Sequence, residues 1–358
     1  MLARLTVFVL GTAFVTYTLS SAVRTFVLPR GANVLLTRLV FRVVRVFFWP
    51  RTRLARSFEE RDRVMALYAP LSLMVLPGVW LSCVLAGYMG MFWALGVRPW
   101  GAAFLLSGSS LLTLGFAPVD TLAETVLAFS EATFGLGMLA LLIAYLPTMY
   151  TAFNQRESAV ALLEGRAGTP PSAVEWIKRA HRVGWLTQMG DQWSLWEIWF
   201  ADVEESHTSL APLVFFRSPQ PNRSWVTAAG AVLDTASLTL AAVDLPFDVQ
   251  AALCIRTGYL ALRSIADFFR IPHNPDPQFP DDSISIIREE FDSACDELMA
   301  AGVPLKSDKE QAWQDFAGWR VNYDTVLLAI AALTDAPYAP WSSDRSVWQE
   351  HDSFIGWR

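Results

Sequence analysis

Five consecutive residues, Thr113-Leu114-Gly115-Phe116-Ala117, offer backbone oxygens as their chemistry where an enzyme would offer side-chain acids and bases. Gly115 can adopt backbone angles that a residue with a Cβ disfavours. A stretch so shaped can turn carbonyl oxygens toward an axis, where they replace the hydration shell of a cation. Immediately upstream, Pro99 suits a first helical turn and residues 100–112 spell a short apolar helix. At ~1.5 Å per residue that helix cannot cross ~30 Å of hydrocarbon. Its C-terminal end would add negative potential where a cation would sit, and the hydroxyl pair Ser109-Ser110 falls near that end.

Downstream, Glu131 is the one acid in a long apolar run, and an ionisable group there faces a bundle interior or a cavity. Three roles fit it: attracting cations below the loop, hydrogen-bonding the back of the loop, or standing as a neutral carboxyl satisfied by Ser130 or Thr133. Two further clusters lie in the second half of the chain. Asp202, Glu204, Glu205 and His207 crowd acids and an imidazole into six residues, but no HExxH or HxH spacing accompanies them, so a solvated helix end is the better reading. Arg256, Arg263, Arg288 and Arg320 stand near apolar helices, where pairing with the many acids is the better reading and an anionic ligand the sharper one. Cys83, Cys254 and Cys295 are scattered and form no CxxC pair, which argues for buried thiols and against a zinc site. No Walker loop, GxSxG or dinucleotide fingerprint occurs, so no cofactor is implied and a non-enzymatic role is expected.

The elements that must position these residues are apolar. Hydrophobic residues make up 53% of the chain and charged ones only 17%, which excludes disorder and is too apolar for an ordinary soluble protein of this size. Three membrane-spanning helices are expected: residues 5–23, residues 67–97 and, from about Thr125 to Phe153, a third that ends at Asn154-Gln155-Arg156-Glu157. The short helix and its loop lie between the second and third spans, so they must enter and leave from one face as a re-entrant loop. Irregular backbone at that depth is tolerated only when buried in protein or lining a watery cavity.

Between the first two spans lie ten arginines: Arg24, Arg30, Arg38, Arg42, Arg45, Arg51, Arg53, Arg56, Arg61 and Arg63. By the positive-inside rule this loop is cytoplasmic, which puts the re-entrant loop on the outer side and the second half of the chain in the cytoplasm. Arg38, Arg42 and Arg45 share one helical face in an otherwise apolar stretch, which reads as an amphipathic helix in the inner interface. A voltage-sensing helix has a similar arginine repeat, but it needs a bundle of neighbouring spans that this chain lacks.

Residues 65–155, in the order outer helix, short helix, loop, inner helix, resemble the tetrameric potassium-channel pore module. The family's Thr-Val-Gly-Tyr-Gly filter would fall on Thr113, Leu114, Gly115, Phe116 and Ala117, and Ser109-Ser110 looks like its hydroxyl-rich pore-helix end. The resemblance implies that Thr113, Leu114, Gly115, Phe116 and Ala117 bind the ion, with Ser110 and Glu131 supporting the filter or lining the pore. It also implies gating bends at Gly135, Gly137 and Pro147, although packing through Ala132, Gly135 and Ala140 explains those small residues equally well. Four chains would ring one axis. The departure is Ala117 where the family has its second Gly, with Pro118 following. A left-handed backbone there would cost Ala roughly 1 kcal/mol relative to Gly and would disturb the outermost ion site and its potassium selectivity.

Charge divides the chain. Residues 1–154 hold twelve arginines and six acids, whereas residues 155–358 hold sixteen basic residues and twenty-eight acids, a balance that disfavours nucleic acid. Helical periodicity runs through residues 228–240, 249–269, 284–300 and 323–333, with breaks at 165–171, 218–221, 272–282 and 302–304. The expected fold is an α-helical membrane protein with three membrane-spanning helices and one re-entrant pore loop, plus a mainly α-helical cytoplasmic domain. Its parts are a membrane helix and basic interfacial segment (1–64), a pore module (65–155) and an acidic helical domain (156–358). The expected function is a homotetrameric, potassium-like cation channel in the cell membrane, contacting lipids and regulated by a cytoplasmic ligand that the residues do not identify. The alternative is a membrane-anchored enzyme or signalling adaptor with a non-conducting loop.

Overall fold

The structure is a computed structural model. It describes residues 1–26, 35–54 and 57–345, with the Arg53 side chain left aside. Arg30 and Arg56 lie outside the described residues. The chain divides into two compact units, Met1–Thr151 and Ala152–Arg358. Among the described residues it is α-helical, without strands and with a single isolated antiparallel bridge between Val243 and Leu305.

The first unit holds α1 (Leu2–Phe26), α2 (Leu35–Leu54), α3 (Phe58–Ala66), α4 (Tyr68–Leu95), the short α5 (Trp100–Leu111) and the first part of α6 (Leu122–Ala167). Helix α1 contains the expected first span and carries five threonines that could have spoiled it. Each of Thr6, Thr12, Thr16, Thr18 and Thr25 turns its hydroxyl onto the carbonyl four residues back, which satisfies it within the helix. Helix α1 lies along α4 at a glycine crossing, where a Cβ built on Gly11 would come within 2.7 Å of the Gly87 carbonyl oxygen. Met91 and Trp80 of α4 reach back to it, the former accepting from Thr12 at 3.2 Å and the latter donating to Ser21 Oγ at 3.3 Å.

Helix α6 is 46 residues long and does not stop at Asn154-Gln155-Arg156-Glu157. Of these four residues Asn154 and Gln155 are exposed, whereas Arg156 is buried at 3% exposure. Pro147 sits inside α6 without ending it. It deprives the Ile143 carbonyl of its helical donor, and the hydroxyls of Thr148 and Thr151 bond the neighbouring carbonyls of Ala144 and Pro147.

The second unit adds α7 (Ala173–Arg182), α8 (Gly190–Ser209), α9 (Trp225–Ala242), α10 (Val249–Phe268), α11 (Arg288–Ala300), α12 (Lys309–Arg320) and α13 (Asp324–Thr334). Every residue of α9 is buried. Its alanines and Gly230 leave a slim axle around which α7, α8, α10, α12 and α13 pack. Where Gly258 of α10 passes α9, a Cβ would come within 2.6 Å of a Leu233 methyl.

Four helical segments are long and apolar enough to cross a membrane by length and composition: Leu2–Phe26, Phe58–Leu95, Leu122–Ala167 and Trp225–Ala242. The chain is thus an α-helical, multi-pass type of membrane protein. The fourth segment is α9, which the sequence reading does not count as a span and which is wholly enclosed by protein.

The core of the second unit is held by a charge cluster. Arg320, with no exposed surface, donates to Asp234 at 2.5 Å, to Asp324 at 2.7 Å and to the Trp341 carbonyl at 2.6 Å. The Tyr323 hydroxyl adds a 2.9 Å bond to Asp234, and Ser285 donates twice to Asp324. Burial alone would push the Arg320 guanidinium down; the two carboxylates beside it hold it above its ordinary value. Replacing Arg320 by Met would strand two buried carboxylates, a loss of about 3–5 kcal/mol. Thermal unfolding of the detergent-solubilised protein should therefore show R320M far less stable than wild type, whereas the exposed Arg256→Met should unfold with wild type.

Candidate functional site

Helix α5 is seated by its first residues. The Arg98 guanidinium lies 3.4 Å over the Trp93 ring at the end of α4, and Trp93 stacks on Trp100 at 4.7 Å. Twelve residues at ~1.5 Å each make α5 about 18 Å long. After Leu112 the chain leaves the helix and turns back on it. Thr113 donates to the Ser110 carbonyl, Leu114 to the Ser109 carbonyl at 2.8 Å and Gly115 to that same carbonyl at 3.4 Å. The N–H groups of Phe116 and Ala117 then converge on the Ser109 hydroxyl oxygen at 3.0 and 3.1 Å.

One buried serine thus gathers four successive backbone donors. No hydrogen bond among the described residues is accepted by the carbonyls of Thr113, Leu114, Gly115 or Phe116. The side chains of Leu114 and Phe116 stand 60% and 61% exposed in the single chain. The loop closes onto α6 through Thr121 and Glu124, the latter accepting from the Asp120 N–H at 2.9 Å while Thr121 accepts from the Glu124 N–H.

Backbone strain falls elsewhere than the sequence reading places it. Gly115 is left-handed at φ 70°, as a glycine there allows, but the second positive φ belongs to Thr113 at 56°, and Ala117 has none. For a β-branched residue this is a costly conformation. Ala117 carries none of the strain assigned to it because the Ser109 hydroxyl holds its N–H in ordinary backbone geometry.

Ser110, a candidate support for the loop, spends its hydroxyl on the Leu106 carbonyl of its own helix. The supporting hydroxyl belongs to Ser109. Glu131, fully buried, reaches Ser107 of α5 at 2.5 Å, while the Ser107 hydroxyl also meets the Leu85 carbonyl of α4 at 3.1 Å. The Ser107 hydroxyl thus ties α4, α5 and α6 at one point. The partners expected for Glu131 are engaged elsewhere: Ser130 with Tyr88 at 2.8 Å and Thr133 with the Phe129 carbonyl. Its second oxygen, Oε2, has no partner among the described residues.

Gly135 lies against the end of α5, where a Cβ would overlap the Leu111 carbonyl. Close packing therefore accounts for Gly135, whereas Gly137 has open space around it and Pro147 bends no break into α6.

In the second unit, the Asp202–His207 cluster on α8 divides between faces. No group of three His, Cys, Asp or Glu side chains stands close enough to hold a metal among the described residues. His207 turns inward to Arg156, a residue the sequence reading did not single out. The buried Arg156 guanidinium meets His207 Nε2 at 3.1 Å, donates to the carbonyls of Leu213 and Phe216 at 2.9 and 2.7 Å, and pairs with Glu157. Its own carbonyl accepts from Trp199 Nε1 at 3.3 Å. A lone arginine after an apolar run looks like an interfacial anchor, and nothing in its neighbours along the chain signals this cage. Arg263 donates to Asn322 and Arg288 pairs with Asp292 and Glu310, so, with Arg320, three of the four singled-out arginines are engaged internally.

Burial, helped by the Arg156 charge, holds His207 well below its usual range. A histidine kept neutral in the fold but free to protonate when unfolded stabilises the protein above pH ~6.5, and that stability drains as pH falls below it. Between pH 6.5 and 5 wild type should lose stability faster than His207→Gln, the difference steepening toward about 1.4 kcal/mol per pH unit as the unfolded histidine becomes fully protonated, read as the difference in their unfolding midpoints.

The loop makes its own prediction. Ser109→Ala removes the acceptor of two amides, and at about 1 kcal/mol each the Phe116 and Ala117 N–H groups should exchange hydrogen roughly fivefold faster. Ser110→Ala should leave both unchanged. Compared with protein-family models, with curated proteins and with solved structures, the chain finds no match.

Proposed function

We propose that the chain is one subunit of a homotetrameric, potassium-like cation channel, with residues 156–358 as a cytoplasmic regulatory domain. One observation carries the reading: the N–H groups from Leu114 to Ala117 are all drawn to Ser109, leaving the carbonyls of Thr113, Leu114, Gly115 and Phe116 without a protein donor. Unpaired carbonyls in an apolar setting are costly unless something electropositive meets them. A partly dehydrated monovalent cation is such a partner. A single chain supplies one oxygen at each level of the loop, too few to replace a hydration shell, so four chains around an axis complete the site. The exposed Leu114 and Phe116 side chains would be covered in that ring.

The basic segment around α2 supports an inward-facing orientation for residues 24–63 by the positive-inside rule, hence a cytoplasmic second unit. Glu131, tied to Ser107 behind α5, braces the loop's helix rather than facing a solvent path in this reading. Gating falls to α6, whose weakened backbone at Pro147 is the place a bend would cost least.

Liposomes holding the purified protein should release potassium faster than sodium. Gly115→Asp, at a position whose left-handed backbone Asp tolerates, should abolish the flux while leaving thermal unfolding close to wild type. Ala117→Gly should change the potassium-to-sodium ratio. Absence of wild-type flux across voltage, pH and calcium, together with a monomer by mass, would overturn the channel reading.

A further inference from the structure

Helix α2 divides into three arcs when its residues are set at ~100° intervals. One arc, Val40, Phe41, Val44 and Phe48, is buried. It meets the foot of α4, where the Tyr68 hydroxyl donates to the Phe41 carbonyl at 3.2 Å and the rings of Phe41 and Phe48 stand edge-on to Tyr68 at 6.0 and 6.1 Å. A second arc, Leu35, Leu39, Val43, Val46 and Phe47, is apolar and between 47% and 76% exposed. The third gathers Arg38, Arg42 and Arg45 around Trp49. No acid occurs anywhere in α2.

The first arc is the one that packs on α4. The exposed apolar arc lies on a helix that packs on α4, on the short α3 and on α1; α4 and α1 are of membrane length and apolarity, so the natural cover of that arc is acyl chain. The arginine arc borders it on one side, as headgroups border acyl chains. Residues 24–63 carry ten arginines against three acids, so an excess of seven positive charges survives any pairing within the segment. The fork of a guanidinium matches two oxygens of a phosphate, which an ammonium does less well, and the segment uses arginine throughout, with no lysine.

We infer that α2 is a binding surface for anionic glycerophospholipid, with Arg38, Arg42 and Arg45 on the phosphate, Trp49 at the headgroup boundary and the Leu35–Phe47 arc on the acyl chains. This rests on the chain being a membrane protein and not on its conducting ions, so failure of flux leaves it standing. Through Tyr68 the bound lipid is in register with the first turn of α4.

The test uses the full chain in phosphatidylcholine vesicles containing lipid brominated on its acyl chains, either phosphatidylglycerol or phosphatidylcholine. Trp49 emission is isolated as the difference between wild type and Trp49→Phe. Quenching should show a roughly tenfold preference for the anionic lipid. The preference should shrink at 1 M salt, where the Debye length falls to ~3 Å. The triple variant R38Q/R42Q/R45Q should lose it, with unfolding temperature confirming the fold. Equal quenching by the two lipids in wild type overturns the inference, as does a preference that the triple variant keeps. If the triple variant does not fold, the salt series decides: a preference undiminished at 1 M salt overturns it.

Discussion

Four backbone donors in a row, from Leu114 to Ala117, close on the two oxygens of Ser109. In water this would be a modest turn. In an apolar surround, where an unpaired backbone group costs several kcal/mol, it decides which way the peptide planes face. Once the donors are committed inward, the carbonyls of the same peptides are left on the other side. The rest of the first unit maintains that arrangement: the Arg98–Trp93–Trp100 stack seats the start of α5, Gly135 lets α6 reach the end of it, and Glu131 joins its middle to α4 through Ser107.

The second unit solves a different problem with different means. Its central helix is apolar enough to need no polar partner, yet Asp234 stands in it and brings Arg320, Tyr323 and Asp324 to one place. Such a buried cluster adds little net stability; what it does is penalise every packing in which these groups are not all together. Arg156 plays the corresponding part at the edge of the unit, joining α6 to α8 and to the turn Ala211–Phe215 with all its donors engaged.

Much of the frame could be read from residues alone, because burial leaves a periodic trace. Residues 5–23 and 67–97 lie close to α1 and α4, and residues 228–240 and 249–269 lie within two or three residues of α9 and α10 at each end. The short helix before Thr113 follows from its length and from Pro99. The polar contacts were less legible. Ser109 and Ser110 are identical in type and adjacent in sequence, and only the handedness of the chain after Leu112 decides which hydroxyl turns to the loop. The strain at Thr113 was hidden for the same reason, since a β-branched residue gives no sign that it will be left-handed. Helices α8 and α12 leave little trace because their apolar residues are interspersed with charges and tryptophans, which blurs the period, whereas α7 does carry a helical trace, at Ala173, Trp176, Ile177 and Ala180, within only ten residues. The cage around Arg156 is not legible because, Glu157 apart, its partners lie 51 to 60 residues away.

The enclosure of α9 bears on how the chain is made. During synthesis Trp225–Ala242 emerges after three segments of similar length and apolarity, and an insertion machinery that reads only hydropathy would meet it before α10 to α13 exist to cover it. Near the middle of that segment stands Asp234, a residue whose passage into the bilayer centre costs about 2.5–3.5 kcal/mol. The carboxylate that organises the charge cluster of the folded unit thus also makes the bilayer a less favourable place for this segment by that amount.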